Sequence, residues 1–88
     1  MDVHRIALWW PVSMPGTSTR YYRMGAGAYS VRPVLIREYS RYHRNTVFNE
    51  KWALFHGNAR VPQLKAVSSR DECLERAENW LMEEGIIV

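Results

Sequence analysis

The segment from Ser69 to Gly85 constrains this chain most, because it carries its own start and stop signals for a helix. Ser69 suits an N-cap, and Glu72 three residues later completes a capping box that satisfies amide groups left unpaired in the first turn. Asp71 and Glu72 also sit at the positive end of the helix dipole. Cys73, Leu74, Ala77, Trp80 and Leu81 recur at helical spacing and make one apolar stripe. Gly85 is a natural terminator, since glycine takes the left-handed conformation without steric cost. The pattern predicts a helix from Arg70 to Glu84, with Glu72 and Arg76 placed for an i,i+4 pair. Ile86, Ile87 and Val88 then form an apolar tail that folds back onto the body or pairs with a neighbour.

Such a stripe needs a partner face, and the chain before it offers strands. Trp52 to His56 and Ala59 to Val67 flank Gly57-Asn58, a pair that tolerates the positive φ of a tight two-residue turn. Pro62 places the second of these strands at an edge or a bulge. Further strands are expected from Val3 to Trp10, Thr19 to Met24 and Ala28 to Arg32, with Gly25-Ala26-Gly27 joining the last two and Pro11 to Ser18 as a loop.

Val34 to Asn45 lacks the alternation of a strand. Helical spacing puts Leu35, Tyr39 and Tyr42 on one side and Arg37, Arg41 and Arg44 on the other, and Pro33 suits a first helical position. A helix is therefore expected there. The fold class that results is α+β in one domain over residues 1–88. It is a small antiparallel sheet of about four to five strands packed against the C-terminal helix, with a second short helix in the middle.

At 88 residues the chain has a limited core. A domain of this size buries only ~60–65% of the surface its unfolded form exposes. Four Trp, five Tyr and two Phe offset that by supplying large buried areas per residue. Cys73 is the only cysteine, so no internal disulfide forms and a reducing, cytoplasmic location is expected. Met1 to Trp10 contains Asp2, His4 and Arg5 and does not read as a secretory signal. The longest uncharged stretch, Ile6 to Thr19, has fourteen residues and two prolines, too short to span a bilayer as a helix, so no membrane partner is expected.

The net charge of +3 hides an uneven layout: residues 1–70 carry +8 and residues 71–88 carry −5. The two segments can neutralise each other within one molecule, or steer partners and head-to-tail self-association, and a homodimer is compatible with this layout.

Nothing in the sequence assembles a catalytic centre. His4, His43 and His56 have no metal-ligand spacing, and Asp2 and Asp71 are the only aspartates available to orient a histidine. Cys73 lies on the apolar stripe, where a free thiol behaves as a small hydrophobe. Gly25-Ala26-Gly27-Ala28 lacks the third glycine and the Lys-Ser/Thr ending of a phosphate-cradling loop. The glutamates of the last helix read as a solvated face. No enzymatic activity, cofactor or metal is expected.

The interleaving of basic and aromatic residues is the strongest functional signal. It runs through Arg20, Tyr21, Tyr22 and Arg23, then Arg32, Arg37, Tyr39, Arg41, Tyr42, His43 and Arg44. Arginine outnumbers lysine ten to two, and guanidinium groups make planar bidentate bonds and stack on rings. On a strand, Trp9 and Trp10 point to opposite faces, as do Tyr21 and Tyr22. One ring of each pair therefore needs cover beyond the C-terminal helix, or else marks a contact surface.

The leading expectation is a non-catalytic module that binds a partner protein, as inhibitor or adaptor. Its anchors are Trp9, Arg20, Tyr22, Arg23, Arg37, Arg41, Tyr42 and Arg44. A phage-type inhibitor of host machinery, such as an anti-CRISPR protein, has this size and build, although no motif assigns it. The alternative is nucleic-acid binding through the Arg/Tyr-rich segment 20–44.

Overall fold

A computed structural model describes residues 7–13, 15–16 and 18–88. In chain order they form β1 (Trp9–Val12), β2 (Arg20–Arg23), β3 (Tyr29–Ser40), β4 (Asn45–His56), β5 (Ala59–Arg60) and α1 (Arg70–Glu83). The five strands make one antiparallel sheet in sequence order, each beside its neighbour in the chain. The helix lies across one face of this meander, giving the expected α+β architecture.

The helix is built as its sequence dictates. Glu72 donates its backbone N–H to Ser69 Oγ at 3.3 Å, and Arg76 Nη2 donates to Glu72 Oε1 at 2.9 Å. Gly85 closes it at φ 73°, and Ile86 donates its N–H to the Leu81 carbonyl at 2.9 Å. That reversal folds Ile86 and Ile87 back onto the core. The stripe Cys73, Leu74, Ala77 and Leu81 meets Trp9, Val31 and Leu54 of the sheet, with Ala26 and Val61 at the margins.

The strands depart from expectation in extent. The strand expected from Val3 lies in part outside the described residues. Its visible portion begins at Trp9 and runs on through Pro11 to Val12, residues expected in a loop. As a sheet edge, β1 tolerates a proline that cannot donate to a ladder. The strand expected to reach Val67 ends after Arg60, because Pro62 follows; Val67 instead makes a single antiparallel bridge to Trp52. Between β4 and β5, only Gly57 of the turn pair has positive φ, at 62°.

The segment 34–45 is the main correction. It holds no helix: β3 continues to Ser40 and β4 begins at Asn45, and the two pair in register from Tyr29↔His56 to Ser40↔Asn45. The helical stripe lacked anything to pack against. Leu35, Tyr39 and Tyr42 are 66%, 67% and 91% exposed, so amphipathic spacing brought no burial. A twelve-residue ladder satisfies the backbone instead. Pro33 sits within β3 opposite Trp52, where β2 no longer pairs and no donor is missed. Residues 34–51 thus form a two-stranded arm reaching beyond the helix-covered part of the sheet.

Candidate nucleic-acid interface on the open sheet face

Side chains alternate across a strand, so the register sorts every residue to one face. Trp9, Tyr21, Arg23, Tyr29, Val31 and Leu54 fall on the helix side. Trp10, Tyr22, Ser30, Phe55 and Arg60 form a single row across all five strands on the opposite face. Beside that row, on the same face, stand Arg20 of β2 and Arg32 of β3. Among the described residues no second helix covers this face; Trp10 is 61% exposed there, while Tyr22 and Phe55 are half-buried.

Two small residues set the relief of the surface. Ser30 and Ala53 are fully buried on this face, beneath their longer neighbours. Arg32 is held flat over them: its guanidinium carbon stands 4.4 Å from the centre of the Phe55 ring. Its Nη2 donates to Ser30 Oγ at 3.0 Å and to the Gly57 carbonyl at 2.5 Å. Burial lowers the pKa of Arg32, and the nearby charge of Arg20 lowers it further. An arginine stays protonated under such shifts, so two like charges are kept close together. They border a cleft of about 170 Å³ completed by Ser18 and Pro33.

The charge of this face is one-sided. Lys51 is neutralised by Glu38 at 2.6 Å, and hydrogen bonds from Lys51 and Asn49 hold the Glu38 carboxyl below its usual range. Arg20, Arg32 and Arg60 have no carboxylate within ion-pair distance among the described residues.

The anchors expected from the sequence divide into three groups. Arg20 and Tyr22 lie on the open face. Trp9 and Arg23 do not reach any partner surface: they are 4% and 8% exposed beneath α1. Glu78, expected on a solvated helix face, is itself buried and takes a hydrogen bond from Trp9 Nε1 at 3.1 Å and a bidentate contact from Arg23. Arg37, Arg41, Tyr42 and Arg44 belong to the arm, with Arg37 on β3 and the other three in the loop 41–44, where Arg44 has φ 52°. They form no helical stripe. Trp10, Phe55 and Arg60 were missed as site residues, and strand alternation through Trp10 and Tyr22 was the signal pointing toward that face.

Two of the other chemical candidates, Cys73 and His56, are engaged in packing. Cys73 is 4% exposed, and burial pushes its thiol up to about 12. His56 stacks on Tyr29 with ring centres 4.3 Å apart, and His4 lies outside the described residues. Among the described residues no helix is long and apolar enough to cross a membrane. No family model, curated protein or solved structure matches the chain.

Proposed function

We propose that this chain is a non-catalytic binding module whose open sheet face takes single-stranded nucleic acid. The observation that carries the reading is the row Trp10–Tyr22–Ser30–Phe55–Arg60 flanked by Arg20 and Arg32, an aromatic surface edged by cations that have no carboxylate partner among the described residues. Guanidinium groups neutralise phosphates, while exposed rings stack on bases regardless of sequence. Arg32 contributes a guanidinium plane already fixed by Ser30 and Phe55, so little freedom is lost when a base or phosphate settles on it. A base inside a duplex cannot reach such a flat platform, which favours unpaired strands.

Fluorescence anisotropy with labelled twelve-residue oligo(dT), oligo(U) and a duplex of equal length tests this. Binding to single strands should be about tenfold tighter than to the duplex. Its logarithmic salt dependence should have a slope of about −2, the value for three phosphate contacts on a single strand. Equal affinity for duplex and single strands, or no binding at about 100 μM protein in low salt, defeats the reading.

A protein partner is the second reading, favoured by the loop at the end of the arm. Tyr42 is 91% exposed between Arg41 and Arg44, and tyrosine and arginine are the residue types that anchor protein interfaces. Pull-down with and without nuclease distinguishes the two, since a protein captured directly survives digestion.

A further inference from the structure

We propose that the outer edge of β4 pairs with the same edge of a second copy of this chain, centred on Phe48. Trp52 and Val67 exchange both main-chain hydrogen bonds, at 2.7 and 3.0 Å, so the main-chain groups of Trp52 point away from β3. Antiparallel ladders alternate, which turns the N–H and C=O groups of Glu50, Phe48 and Thr46 outward in the same way. Among the described residues β5, Val61 and Val67 cover this edge only from Trp52 to His56, with Val61 donating its N–H to the Leu54 carbonyl. The edge from Thr46 to Glu50 therefore presents unpaired donors and acceptors beside an exposed ring, Phe48, at 65% exposure.

The side chains select the occupant and the register. Two identical edges related by a two-fold axis bring the central residue opposite itself. Centred on Phe48, the pairing sets ring against ring, Glu50 against Thr46 of the second copy, and Val47 against its Asn49. Aromatic pairs directly opposite stabilise a sheet, and no like charges oppose each other. Glu50, which has no cationic partner among the described residues, then lies diagonal to Arg44 of the second copy. Centring on Glu50 would oppose two carboxylates.

The opposite edge of the arm is guarded. Its outward positions are Leu35, Arg37 and Tyr39, so self-pairing there opposes Arg37 to Arg37, sets Arg37 against Arg41, or brings in Pro33, which has no N–H to donate. Charges and prolines are the usual protections of an edge strand, and the open stretch of β4 from Thr46 to Glu50 has neither at its centre, Phe48.

Sedimentation equilibrium of the protein alone, without nucleic acid, tests the pairing and is independent of the function proposed above. The 10.4 kDa chain should move toward twice its mass with a dissociation constant of about 10–100 μM, as a small transient interface gives. Phe48→Glu and Phe48→Arg should each weaken self-association at least about tenfold, and an equimolar mixture of the two should restore a one-to-one dimer, because opposite charges then meet across the axis. Glu50→Lys should weaken it as well, by facing Arg44 of the second copy. A monomer mass at about 500 μM overturns the proposal. So does a dimer indifferent to both Phe48 variants, or a mixture that stays monomeric.

Discussion

Arg23 and Glu78 meet in a bidentate ion pair under α1, with Nε 2.6 Å from Oε1 and Nη2 2.9 Å from Oε2, and the two side chains are only 8% and 2% exposed. Trp9 Nε1 donates to the same carboxylate, so the first strand, the second strand and the helix share one polar contact inside an apolar core. Arg23 Nη1 donates to the Met24 carbonyl at 2.6 Å, which occupies the end of the guanidinium that Glu78 leaves free. The hydrogen bond to Glu78 raises the pKa of Arg23 against the opposing effect of burial.

Breaking this pair from one side should be far worse than removing both partners. Glu78→Ala leaves the buried Arg23 guanidinium without its carboxylate and should destabilise the protein by about 3–5 kcal/mol, and Arg23→Ala, which removes the bidentate contact, should destabilise it as well. The apolar double substitution Arg23→Met with Glu78→Leu should lose markedly less than the sum of the corresponding single changes. Urea denaturation of both singles and the double measures the coupling; additive values would mean that the pair is solvated.

The helix seat provides a second expectation. Leu81 is fully buried, so Leu81→Ala should cost about 2–5 kcal/mol, whereas Ser69→Ala removes one capping bond and should cost about 0.5–2 kcal/mol. Trp80 is only partly buried, edge-on to Tyr29 with ring centres 5.9 Å apart, and Trp80→Ala should fall below Leu81→Ala in the same denaturation series.

Neighbouring tryptophans should behave in opposite ways. Trp9→Ala empties a core site and loses a bond to Glu78, so it should destabilise by about 3–5 kcal/mol. Trp10→Ala removes a ring facing solvent and should change stability by no more than about 0.5 kcal/mol. The same Trp10 change should weaken oligo(dT) binding about fivefold or more, through loss of one stacked base. Thermal melts and anisotropy on the two variants separate fold from function.

Cys73 gives a pH-dependent expectation. A thiol whose pKa is raised on folding contributes stability that is complete below its unfolded value, near 8.5, and is lost as pH rises toward about 12. Wild-type stability should therefore fall more steeply between pH 9 and 11 than that of Cys73→Ala, as read from urea midpoints at each pH. At pH 8 the native thiol should react slowly with a disulfide reagent and rapidly in denaturant. Fast stoichiometric labelling of the native form would place Cys73 at the surface.

The sequence by itself determined the elements whose signals are local. Ser69, Glu72 and Gly85 delimit the helix because capping bonds and a left-handed residue act within one turn of their own position. Gly57 marks a turn for the same reason, and adjacent rings on a strand divide between faces whatever surrounds them. Tertiary structure decided what depends on partners distant in the chain. Residues 34–45 satisfy helical spacing, yet burial, not spacing, rewards an amphipathic helix, and the ladder from β4 supplied what no packing face offered. Arg23 looked like one more basic anchor, and Glu78 like one more solvated acid. They are separated by 55 positions, and only the approach of the helix to β2 turns them into a buried pair. The open face follows the same rule: alternation places Trp10 and Tyr22 together, but only the strand order brings Phe55 and Arg60 into line with them.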